Sequence, residues 1–123
     1  MAIPWRKQSL HDLVEGFATA SIGQDEAIIA GSVRDSIKYG KATVRFLNQL
    51  LKHGDTGRDA LKLLLSHPHP SARVKAAACL LRYDTRSAMG VLEEAAQFDG
   101  LVGFSAREAI ARWQEGDWSL DPG

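Results

Sequence analysis

A chain of 123 residues, 45% apolar and 24% charged, is long enough to bury a core of its own. It reads as one globular domain over 1–123, not as a disordered or fibrous chain. Fifteen basic residues balance fifteen acidic ones, which excludes the strongly cationic composition of a dedicated nucleic-acid binder. The single cysteine, Cys79, excludes an intrachain disulfide and fits a reducing, cytoplasmic compartment.

The first ten residues are mixed in character and are not expected to act as a secretory leader; residues 1–8 are expected to form a tail. Leu10, Leu13, Val14 and Phe17 follow the i, i+3, i+4, i+7 spacing of an amphipathic helix. The spacing predicts a first helix from a Ser9 cap to Ser21. Gly23 and Asp25 then predict a break and a new cap. The positions Ile29, Val33, Ile37, Gly40, Val44, Leu47 and Leu51 make one inward seam in steps of three and four. They predict a long second helix, kinked or split near Gly40 and stopped at His53-Gly54.

A shorter helix is expected over 57–66, capped by Asp55 or Thr56, with Leu61, Leu64 and Leu65 inward. His67-Pro68-His69-Pro70 ends it, since each proline pushes the preceding residue out of the helical region. Pro70 also suits the start of the next helix, expected over 71–83. Asp84-Thr85 predict a turn and cap before a helix over 86–97 with Ala88, Val91, Leu92 and Ala95 on one side. Asp99-Gly100 turn again, a last helix spans 104–114, and 116–123 is a tail. The longest apolar run, Ala76 to Leu81, is too short to cross a bilayer, so no membrane association is expected.

Two of these helices carry the same opening, Ser71-Ala72-Arg73 and Ser105-Ala106-Arg107, 34 positions apart. That period belongs to a repeated helix pair. The first of the two is apolar almost all round, through Ala72, Ala76, Cys79 and Leu80 on one side and Val74, Ala77, Ala78 and Leu81 on the other. It is expected to be sandwiched between neighbours. The second keeps a mostly apolar side in Ala106, Ile110, Trp113 and Gln114 but replaces the other with Glu108, Ala111, Arg112 and Glu115, as a helix closing the stack requires. No alternating run between turns suggests a strand.

The stretch His69 to Ala96, with its proline entry, small-residue-plus-Arg start, alanine-packed helix and Asp turn into a helix carrying Val91 and Leu92, resembles a HEAT-type repeat. More loosely, Leu10 to Trp113, with Gly23-Gln24-Asp25-Glu26-Ala27, resembles a small bacterial domain family of unassigned function. The resemblance implies an all-α fold, a short α-solenoid of HEAT-like helix pairs with about six helices. Residues 25–53 depart from the repeat pattern, lacking the Ala-Arg start. The arginine at this place in HEAT-like helices usually ties a helix start to neighbouring carbonyls or an acid, which implies structural roles for Arg73 and Arg107.

Catalytic chemistry has little to stand on. No nucleophile elbow frames a serine and no glycine-rich loop follows a strand. Glu93 and Glu94 lie on adjacent positions of a solvated helix face, not in an enclosed site that could frame acid–base work. His67, His69 and Cys79 supply three potential metal ligands, but no fourth ligand has suitable spacing and Cys79 falls on a buried side. The sequence therefore predicts no enzyme, no cofactor and no metal.

The charge distribution is more telling than its total. Residues 34–86 hold eleven Lys/Arg against four Asp/Glu, and the flanks hold four against eleven. On the long helix Arg34, Lys38, Lys41 and Arg45 recur at i, i+4, i+7 and i+11 beside the expected seam, and Lys52 extends the row. Like charges at i, i+4 oppose one another by about 0.2–0.5 kcal/mol per pair, so a one-signed row suggests an external partner. These five residues are the candidate partner-binding site. The expected partner is another protein with an acidic surface, and the expected role a non-catalytic protein–protein interaction module, such as a small immunity or inhibitor protein that neutralises a toxin or effector. The alternative is a helical-repeat nucleic-acid binder using the same basic edge, a role that normally brings aromatic stacking residues. Phe17, Phe46 and Trp113 instead fall on core sides, and Trp5 and Trp118 are expected to cover the ends of the stack.

Overall fold

Ser9 and Asp12 close a reciprocal box at the start of the first helix. The Asp12 N–H donates to Ser9 Oγ at 3.1 Å and the Ser9 N–H to Asp12 Oδ2 at 3.3 Å. In the computed structural model, which describes residues 8–116, this cap opens α1 (Leu10–Ile29). The helix runs on through Gly23 and Asp25, where the sequence predicted a break. The stop lies further on, at Gly31, which has φ 77°. There the Ser32 N–H reaches the Ala27 carbonyl and the Gly31 N–H the Ile28 carbonyl, a left-handed glycine stop that satisfies the last carbonyls of the helix. Trp5 and Trp118 lie outside the described residues, as do nearly all of both tails.

Ser32 then caps α2 (Val33–Leu51), accepting the Asp35 N–H at 3.2 Å. This helix passes Gly40 as one element, in place of the expected kink, and stops at Gly54 with φ 61°. Gly54 itself, not Asp55 or Thr56, precedes the first turn of α3 (Asp55–Lys62). A tighter 3-10 turn over Leu63–Ser66 follows, and His67 adopts the extended backbone that Pro68 imposes.

Pro70 is the first residue of α4 (Pro70–Leu80), with His69 at the cap. Asp84 caps α5 (Thr85–Ala95) through the Ser87 N–H. The last helix, α6 (Gly100–Glu115), starts one turn earlier than its sequence suggests. Its first turn comes so close to the preceding chain that a methyl on Gly103 would collide with the Phe98 carbonyl.

Among the described residues the fold is all-α, six helices in a short solenoid. The sequence-predicted sandwiching of α4 holds. Ser71, Ala72, Val74 and every residue from Ala76 to Leu81 are buried, with α1, α3, α5 and α6 packed around the helix. Removing that much apolar surface from water is the main stabilising term, about 1.5–3 kcal/mol for each large side chain such as Phe17, Leu80 or Leu92. On α6, Ala106 and Ala109 face the core while Glu108, Ala111, Arg112 and Glu115 face solvent, so it closes the stack. At the opposite end α2 packs chiefly on α1, which leaves its outer side as an end face of the molecule.

Candidate functional site

α1 offers α2 a stripe of small residues, Gly16, Ala20 and Gly23, spaced one turn apart. Onto that stripe α2 lays its two aromatic rings. A methyl at Gly16 would overlap the Phe46 ring, and one at Gly23 would stand 2.9 Å from the Tyr39 ring. Thr43, Leu47 and Leu50 complete the inner side and are buried, the Thr43 hydroxyl donating to the Tyr39 carbonyl at 2.9 Å.

This rotation corrects the expected seam. Leu47 is buried and Leu51 half-buried, but Ile29, Val33, Ile37 and Val44 are 75%, 71%, 53% and 51% exposed. On a helix with 3.6 residues per turn the aliphatic row and the true inner row differ by about a quarter turn. The rings fit the glycine gaps of α1, whereas the shorter branched side chains would leave those gaps empty.

The consequence is an apolar strip on the outer side of α2. Of the seven large apolar side chains exposed among the described residues, five are Ile28, Ile29, Val33, Ile37 and Val44, at the α1–α2 turn and along α2. Ile37 and Val44 flank a shallow groove at Gly40, whose missing side chain makes room for Gln24 of α1.

The basic row sits immediately beside this strip. Arg34, Lys38, Lys41, Arg45 and Lys52 are all exposed, and none is ion-paired among the described residues. Lys38 lies 5.5 Å from the Tyr39 ring centre. The structure thus brings the five candidate residues onto one edge. Sequence reading missed the exposed aliphatics that border them. The available signal was the pair of glycines on α1, which marks where bulky partners must sit.

Arg73 and Arg107 lie away from this face and repeat one arrangement. Arg73 Nη1 donates to the carbonyls of His67 at 2.8 Å and Pro68 at 3.2 Å, and Arg107 Nη1 to those of Ala96 at 2.9 Å and Phe98 at 3.4 Å. Each arginine ties its helix to the loop that leads into it. The histidines between α3 and α4 serve the same loop. His67 Nδ1 accepts the His69 N–H at 2.9 Å, and His69 Nδ1 accepts the Ser71 N–H at 3.2 Å. Cys79 is buried, and desolvation pushes its thiol up to about 11. No group of three or more His, Cys, Asp or Glu among the described residues is placed to hold a metal ion. No helix among them is long and apolar enough to cross a membrane.

No protein-family model matches the chain, and no curated protein matches it. Among solved structures it is similar to the crystal structure of the protein RPA1889 from Rhodopseudomonas palustris CGA009. The likeness covers 96% of this chain and 98% of that one, with a TM-score of 0.83 and 19% sequence identity. At that identity it shows the fold and nothing of the site.

Proposed function

We propose that the protein is a non-catalytic protein-binding module that engages an acidic partner along the outer edge of α2. One observation carries this: an exposed apolar strip, Val33, Ile37 and Val44, runs beside five cations that have no ion pair among the described residues. Apolar area supplies the driving force for association, and a one-signed rim selects and steers the partner. Arg34 and Arg45 are eleven positions apart, about 16 Å of helix, enough for an acidic helix of three turns. A phosphate backbone would use the cations but not the aliphatics, which favours protein over nucleic acid.

Within this class the 34-residue spacing of the two Ser-Ala-Arg helices supports a HEAT-like repeat. The narrower role, a small cytoplasmic immunity or inhibitor protein that blocks a toxin or effector, follows by analogy with other compact helical-repeat proteins.

The test is affinity capture from the native host with the unaltered chain, with Lys38→Glu/Lys41→Glu, and with Ile37→Ser/Val44→Ser. Both double variants change exposed residues and are expected to fold normally while each weakens recovery of one acidic protein by about tenfold or more. Recovery of nucleic acid alone, lost with the charge reversals but indifferent to the serines, replaces this proposal with the nucleic-acid alternative.

A further inference from the structure

The repeat that places Arg73 and Arg107 on loop carbonyls also places its serines on a common cleft. Ser71, Val74, Lys75 and Ala78 of α4 line one wall, and Ser105, Glu108, Ala109 and Arg112 of α6 the other, with Asp25 of α1 and Phe104 completing it. Each residue of the first wall is matched by the one 34 positions later in the second. The cleft is therefore the surface the repeat itself generates, the kind of surface on which stacked helices bind their ligands.

It is small, about 230 Å³, the space of roughly eight waters at about 30 Å³ each. Val74, Ala78, Ala109 and Phe104 make an apolar lining. Ser71 is only 4% exposed, yet its hydroxyl has no hydrogen-bond partner among the described residues. A buried hydroxyl without a partner is destabilising, and a ligand atom at this place relieves it. Ser71 also lies in the first turn of α4, where the helix dipole favours a negative group. Of the four charged residues lining the cleft, Glu108 and Arg112 face each other at 3.9 Å. Lys75 and Asp25 have no ion pair among the described residues.

We propose that this cleft binds a free α-amino acid with an apolar side chain. Its carboxylate is held by Lys75 and the Ser71 hydroxyl, its ammonium by Asp25, and its side chain lies on Val74, Ala78, Ala109 and Phe104. A ligand with one charge would leave either Lys75 or Asp25 unanswered, and an uncharged apolar ligand would leave both. The site is independent of the α2 edge, so the two proposals stand or fall separately.

Titration calorimetry on the full chain tests it, using L-leucine and L-phenylalanine against glycine, leucinamide and 4-methylpentanoate. Saturable binding of leucine or phenylalanine is expected. Glycine, leucinamide (no carboxylate) and 4-methylpentanoate (no ammonium) should each bind about 10- to 100-fold more weakly. Lys75→Met should reduce the preference for leucine over leucinamide to what the Ser71 hydroxyl alone supplies, and Asp25→Asn should abolish the preference over 4-methylpentanoate, with unchanged helical content showing that each variant is folded. Absence of saturable binding by both amino acids at about 10 mM overturns the proposal. So does equal binding of leucine and its two analogues, or affinities that neither substitution alters.

Discussion

The Phe46 ring lies directly against the bare backbone of Gly16, and one stretch along the same helix pair Tyr39 does the same at Gly23. The two glycines are seven residues apart on α1 and the two rings seven apart on α2, so antiparallel packing brings both pairs into register. These contacts set how α2 is turned, and with it which side chains reach solvent.

Glycine-to-alanine substitution should therefore change sign with position. In an exposed helix interior alanine is better than glycine by about 0.5–1 kcal/mol. Gly90 in α5 has open space for 4 Å around the place a methyl would occupy, and Gly90→Ala should stabilise by about that amount. Gly16→Ala and Gly23→Ala should instead destabilise by about 1–3 kcal/mol, because the rings must shift. Urea denaturation of the three variants checks the ordering. A stabilised Gly16→Ala would mean that Phe46 does not pack there.

Arg73→Ala and Arg107→Ala should each lower stability by about 1–3 kcal/mol, since each removes a charged donor shared between two carbonyls. Lysine should not restore the full loss, because its ammonium is a point donor that lacks the planar fork of arginine. Thermal unfolding of the alanine and lysine variants is the measurement, and full rescue by lysine would refute the role of the guanidinium.

Lys62 Nζ lies 2.8 Å from Asp84 Oδ2, and this hydrogen bond, followed by the Ser87 N–H, holds the Asp84 carboxyl below its ordinary value. A depressed carboxyl contributes stability that is present above its unfolded pKa, about 3.9, and lost as pH falls through the lower folded value. The unaltered protein should lose stability on acidification more steeply than Asp84→Asn, which keeps a capping side chain. Parallel acid-unfolding profiles would show that the pair adds nothing.

Cys79 should be inert to thiol reagents in the folded protein at pH 8. Burial keeps it as the thiol, pushed up to about 11, whereas the thiolate is the reactive form. Rapid modification without denaturant would contradict the enclosed position of α4. Complete modification in urea is the expected counterpart.

The elements governed by neighbours along the chain are legible in the sequence. The Ser9 cap, the stop at His53-Gly54, the entry at Pro70, the Asp84 cap and the all-round burial of α4 depend on local hydrogen bonds and on apolar content, which proximity in the chain records. So too is the row from Arg34 to Arg45, because helical spacing alone aligns those residues. The rotation of α2 and the unbroken course of α1 through Gly23 depend instead on contacts between helices. α2 carries an aliphatic row and an aromatic row, and either is a chemically acceptable interior. The choice between them was made on α1, where glycines seven residues apart leave space that rings fill and branched chains do not. The same gap explains why Gly23 is helical, while Ile37 and Val44 stand in water beside the cations.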